Sequence, residues 1–205
     1  MLTKRGAIRV ASVLPSATEI LCLIGGEEFL VARSHEDNYP SNITNRPVVT
    51  GQVTSTSWTS ASAVDKEVSE ALRNGNSLYT LDSDTLRALH PDIILTQDIC
   101  SVCAIDLETV NRLADTMNPK PQILSLNPKC LIDVLEDITV VGKAVGLEKQ
   151  ADLKRHELEQ RIKTGLNYVN VSKQRPRKKI AFIEWSDPIY VGGHWTAQII
   201  HMAGA

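Results

Sequence analysis

This sequence lacks the long apolar run of a membrane-spanning helix: nothing in it approaches the ~18–20 consecutive apolar residues that a span requires. It also lacks an excess of either charge, with 22 Lys plus Arg against 24 Asp plus Glu and a formal net charge of −2. That balance argues against nucleic acid or an anionic membrane as partner. The opening stretch MLTKRGAIRVASVLPSATEI has two early basic residues, but Arg9 and Ser12 interrupt the apolar run of a secretory segment. The expectation is a soluble, cytoplasmic chain. A P-loop, a G-x-G-x-x-G turn and a G-x-S-x-G elbow are all missing, and Gly192-Gly193 is too brief to cradle a diphosphate. No motif speaks for an enzyme.

Cysteine is scarce, with four in 205 residues, and a chain of this length buries enough apolar surface to fold without disulfides. Cys22 and Cys130 fall on apolar-periodic segments and read as small buried hydrophobes. Cys100 and Cys103 form a C-x-x-C directly after an apolar run, which leaves three readings. A structural zinc wants four ligands, and here there is one pair with His35 as a sequence-distant third candidate. A redox pair wants the N-terminus of a helix, and this one does lie between an expected strand and an expected helix. The remaining reading is two small residues lining a pocket.

What the sequence does have is alternation. Ile8 to Leu14 reads as a strand, and Pro15 to Ile24 as a helix opened by a capping box of Ser16 and Glu19 and stopped by Gly25-Gly26. Phe29 to Ala32 reads as a second strand. Eight of the thirteen residues from Thr50 to Ser62 are Ser or Thr, which predicts a loop, and Ser62 with Asp65 would cap a helix to about Arg73. A short helix from about Ser83, a buried strand over 92–96, a helix over 107–117 and a strand over 123–126 follow. Leu131 to Val145 has helical spacing ended by Gly146, and a charged helix from about Lys149 to Tyr168 resembles a rod between two bodies. A strand over 180–184, a short run over 189–191 and a helical start at Trp195 complete the pattern. Strands alternating with helices imply an α/β fold with a mostly parallel sheet covered on both faces.

Residues suited to a site collect where expected strands end, which is where open α/β sheets bind ligands. They are His35, Glu36 and Tyr39, then Gln97 with Cys100 and Cys103, then Glu184, Trp185, His194 and Trp195. Aromatics, amides and imidazoles drawn from separate stretches suit a large, partly flat ligand.

Taken together, SVLPSATEIL, RSHEDNYP, SLYTLD, PDIILTQDICSVCA, IEWSDPIYVGGHW and IIHMAGA resemble the helical-backbone class of ABC-type substrate-binding proteins, in particular the cobalamin-binding branch. The resemblance implies a Rossmann-like N-terminal lobe over 1–130, a helical connector over 131–172 and the beginning of a C-terminal lobe over 173–205. It also implies a corrinoid such as cobalamin, or another chelate such as a siderophore or haem, held between the lobes, and an ABC permease as partner. Trp185, Trp195 and Tyr79 would be apolar platforms. Gln97, Glu36, Glu184 and the backbone near Ser16 would meet the amide rim, His35 or His194 would approach the metal, and Cys100 and Cys103 would line the pocket. Two features depart from the family. Members continue for most of another lobe beyond a motif like Met202 to Ala205, so the expectation is either weak binding by this part alone or a homodimer in which a second copy completes the sheet. Members also often read His-Glu-Cys-Asp where this sequence has His35-Glu36-Asp37-Asn38. A transport receptor would be periplasmic, an intracellular relative a carrier or sensor. A thiol redox protein built on Cys100 and Cys103 is the rival from the enzyme class.

Overall fold

The computed structural model describes residues 7–53, 60–98, 105, 107–171 and 177–205. In chain order the first half contains β1 (Val10–Ser12), α1 (Pro15–Leu23), β2 (Leu30–Ala32), β3 (Thr50–Gln52), α2 (Ala61–Arg73), β4 (Tyr79–Leu81) and α3 (Ser83–Ala88). The second half contains β5 (Ile93–Thr96), α4 (Leu107–Asp115), β6 (Gln122–Ser125), α5 (Leu131–Val145), α6 (Glu148–Val171), β7 (Ile183–Ser186), β8 (Ile189–Val191) and α7 (Thr196–Met202).

A four-stranded sheet of order β2-β1-β5-β6 is parallel at every pairing. Side chains along a strand point alternately to opposite faces, and the two cores divide accordingly. Val10, Ile93 and Leu95 pack with Leu21, Ile138 and Val141 beneath α1 and α5, while Ala11 and Ile94 pack with Leu86, Val110 and Leu113 beneath α3 and α4. Both faces are dry, which is why the strands read as apolar runs rather than as alternations. β3 and β4 form a separate antiparallel ribbon, as do β7 and β8.

Local chemistry moves several boundaries. The capping box expected at Ser16 and Glu19 does not form. Pro15 takes the first helical position, where its fixed φ and missing N–H are tolerated, so that Leu14 becomes the N-cap and Ser16 an exposed first-turn residue. For α2 the cap is Ser60, whose hydroxyl accepts the Ala63 N–H at 3.2 Å, and not Ser62. The Thr-rich stretch expected to be a loop begins with strand β3, paired to β4, because Thr is at home on a pleated edge; residues 54–59 lie outside the described residues. The long charged helix is no free rod as far as Ile162: Ala151 is buried and Leu158 and Ile162 pack against the core beside α5.

Among the described residues no helix is long and apolar enough to cross a membrane.

Candidate functional site

The turn that follows β2 carries His35 and Glu36, and it is held from below. Asp37 is buried, and its Oδ2 accepts the Ser34 N–H at 3.1 Å and the Thr18 hydroxyl at 2.6 Å. Burial pushes this carboxyl above its usual range, while the Thr18 and Ser34 hydrogen bonds and the Arg33 charge pull the other way. The Arg33 guanidinium is itself committed, donating from Nη1 to Ser34 O (3.1 Å) and Asp37 O (2.9 Å) and from Nη2 to Thr44 O (3.0 Å).

His35 is pinned by Thr50 of β3. Thr50 Oγ1 receives the His35 backbone N–H at 3.0 Å and lies 2.7 Å from Nδ1, and it shares a hydrogen bond with Ser34 Oγ at 3.2 Å. The Thr50 hydroxyl can donate or accept, so it fits either tautomer of the ring at Nδ1 while it fixes the ring's position. The His35 Nε2 is buried without a partner. The imidazole lies 5.9 Å from the Tyr79 ring, and Val13, His35, Glu36, Thr50, Tyr79 and Ile105 surround a hollow of about 10 Å³, room for about one water. Glu36 is exposed at its rim.

Ser16 and Tyr39 fall elsewhere. With Glu19, Cys22, Pro40 and Leu158 they line an open groove of about 500 Å³ between α1, α5 and α6. Gln97 is half-buried just beyond the end of β5. Cys100 and Cys103 lie outside the described residues. Glu184 and Trp185 belong to β7; the Trp185 indole N–H is shared between Ala61 O (3.2 Å) and Asp187 O (3.1 Å). His194 follows Gly192-Gly193 in a left-handed conformation, φ +49°, with its ring 5.8 Å from that of Trp195. A non-glycine residue there is uncommon, and His is among those that tolerate it.

The structure therefore brings His35, Glu36 and Tyr79 together, pairs Ser16 with Tyr39, and pairs His194 with Trp195. Sequence reasoning missed Ser34, Thr50 and the Thr18–Asp37 bond that fix the His35 turn. The Ser34-x-x-Asp37 spacing was a local signal for such a turn; Thr50 had none. Among the described residues no group of three or more His, Cys, Asp or Glu is placed to hold a metal ion.

No protein-family model matches this chain, and no curated protein matches it either. Solved structures do. A periplasmic haem-binding protein from Pseudomonas aeruginosa is 18% identical with a TM-score of 0.67, over 96% of this chain and 61% of that one. A possible iron-binding periplasmic solute-binding protein from Staphylococcus epidermidis is 20% identical with a TM-score of 0.68, over 98% and 67%. A periplasmic vitamin B12-binding protein of Vibrio cholerae is 18% identical with a TM-score of 0.66, over 97% and 64%. The chain thus spans 61–67% of the length of these three proteins. At such identities the likeness is one of architecture: over nearly its whole length this chain has the α/β fold of periplasmic binding proteins.

Proposed function

We propose that this chain binds a corrinoid, cobalamin or a close relative, at the carboxyl ends of its parallel strands, as the receptor of an ABC-type uptake system. The observation that carries the reading is the chemistry around His35. Glu36 offers an exposed carboxylate and Tyr79 an aromatic face, the Ser34 and Thr50 hydroxyls hold the turn that presents them, and both terminal nitrogens of the neighbouring Arg33 are spent on three backbone carbonyls while its Nε is buried. An amide-edged macrocycle presents N–H donors that a carboxylate accepts. A haem presents carboxylates, which Glu36 repels and which no freed guanidinium of Arg33 meets. In this reading residues 1–130 form one lobe, 131–172 the connector and 173–205 the start of a second lobe that brings Glu184, Trp185, His194 and Trp195 toward the ligand. Gln97, Ser16 and Tyr39 extend the contact along the first lobe.

Structures of this fold whose names record haem, iron or vitamin B12 binding support chelate binding over an enzymatic role, and their periplasmic naming supports work outside the cytoplasmic membrane over the cytoplasmic expectation. The test is a titration of the purified chain with aquocobalamin, followed by visible absorbance and calorimetry, with hemin as competitor. A saturable change with Kd at or below about tens of micromolar, lost on Glu36→Lys and undiminished by hemin, is expected. Saturation by hemin alone would move the assignment to haem, and no saturation by either would remove it.

A further inference from the structure

The hairpin of β7 and β8 is poor in burial: Ile183, Ile189, Tyr190 and Val191 are all exposed. Yet it meets the N-terminal half of the chain at one defined place. Trp185 and Tyr190 stand opposite one another across the two strands, so both side chains leave the same face of the ribbon. Ala61 and Asp65 lie four residues apart on α2 and hence one above the other on a single helix face. The two spacings match. Trp185 Nε1 donates to Ala61 O at 3.2 Å, sharing its hydrogen with Asp187 O of its own hairpin at 3.1 Å, and the Tyr190 hydroxyl donates to Asp65 Oδ1 at 2.6 Å, so that the two cross-links span sequence separations of 124 and 125 residues.

We propose that Trp185 and Tyr190 on the hairpin and Ala61 and Asp65 on α2 form a two-point clasp that ties the C-terminal segment to the first half of the chain. Two hydrogen bonds fix orientation where one would leave a pivot, and the bond to the carboxylate is of the short, charge-assisted kind. At its other end the same segment is anchored by Gln198 of α7, whose Oε1 accepts the Leu131 N–H at the start of α5 at 2.9 Å. The clasp therefore closes a ring that runs from α2 through the β7–β8 hairpin, α7 and α5 back to the sheet. It sets the spacing between the segment bearing Glu184, Trp185, His194 and Trp195 and the β3–β4 ribbon beside His35. The clasp holds whatever the ligand is.

Hydrogen exchange on the intact chain, read by mass spectrometry, tests it. Tyr190→Phe and Asp65→Ala each remove one partner of the same bond at an exposed position. Each is expected to speed exchange of the β7–β8 amides by about tenfold, the scale of losing a bond to a charged acceptor, while β1 and β5 exchange as in the parent and so report an intact fold. The double variant is expected to exchange no faster than the singles, because a shared bond is lost only once. In a tyrosinate titration the Tyr190 phenol, held above its ordinary range by Asp65, is expected to fall back in Asp65→Ala. Parent-like hairpin exchange in either single variant, effects that multiply in the double, or an unmoved phenol would each overturn the clasp.

Discussion

Two half-buried acids of different kinds show how far the surroundings of one residue can be carried to a measurement. Asp137 on α5 has its carboxyl pushed up to about 6 by burial first and then by the Asp133 and Glu136 carboxylates. An unfolded chain titrates this group near its ordinary 3.8. The folded state holds the proton more tightly, so the contribution to stability is present in full below pH ~4 and is lost as pH rises through about 6. Asp137→Asn is therefore expected to gain stability at pH 7.5, by about 1 kcal/mol once solvent screening of a half-exposed group is allowed for, and nothing at pH 3.5. Thermal melts of parent and variant at the two pH values decide it. Cys22 is the second case. Burial first, then Glu27, Asp37 and Glu19, raises its thiol to about 11, so at neutral pH the nucleophilic thiolate is far rarer than on an ordinary cysteine. Alkylation of Cys22 by iodoacetamide at pH 7.5, read by peptide mass spectrometry, is expected to run at least about a hundredfold slower than that of a free thiol.

At the level of elements, packing and propensity part company on the two helices that meet. Gly142 of α5 sits where an added Cβ would run into the Ala151 Cβ of α6 and come within 3.2 Å of Leu147 O, whereas nothing lies within 4 Å of the corresponding position at Gly165. Helix propensity alone favours Ala over Gly by about 1 kcal/mol at both. Gly165→Ala is expected to raise stability by roughly that amount, and Gly142→Ala to lower it by about 1–3 kcal/mol through overpacking; denaturant titration separates the signs. The same contest explains what the sequence disclosed. β1 and β5 were legible because burial on both faces leaves an uninterrupted apolar run, and α5 because its stripe ends at Gly146, whose φ of +74° suits glycine. β3 was hidden because its three residues, Thr50-Gly51-Gln52, hold a single β-branched side chain and no apolar alternation, and the first turn of α1 was misread because proline outranked the serine beside it. His35 was recognisable as a strand-end residue, but its inward orientation depends on Thr50, fifteen residues away on a different sheet. The Tyr190–Asp65 pairing has no local signature at all, since each residue alone is an ordinary surface side chain.

Across the whole molecule, stability is unevenly distributed. Every buried hydrophobic residue of the two cores lies between Val10 and Ala151, and no described residue from 177 to 205 is buried. Apolar area removed from water is the main driving term for folding, so the sheet with α1, α3, α4 and α5 forms the cooperative unit. The β7–β8 hairpin is tied by hydrogen bonds to α2, itself without a buried residue, and α7 is held by the Gln198 bond to α5 and by the apolar flank where Ile199 and Met202 line a hollow with Ile162 and Leu166 of α6. Segments with so few buried contacts open at a free energy well below that of global unfolding. Trp185 and Trp195 both lie in this outer segment, and substituting the third tryptophan gives a reporter confined to it. In Trp58→Phe, tryptophan emission is expected to shift to the red at a temperature several degrees below the loss of helical circular dichroism, which the core dominates. Coincident transitions by the two probes would instead mean that the outer segment and the sheet unfold as one two-state body. A ligand that bridges His35 and Trp185 would draw the two transitions together, because it stabilises only the state in which both sets of residues are in place.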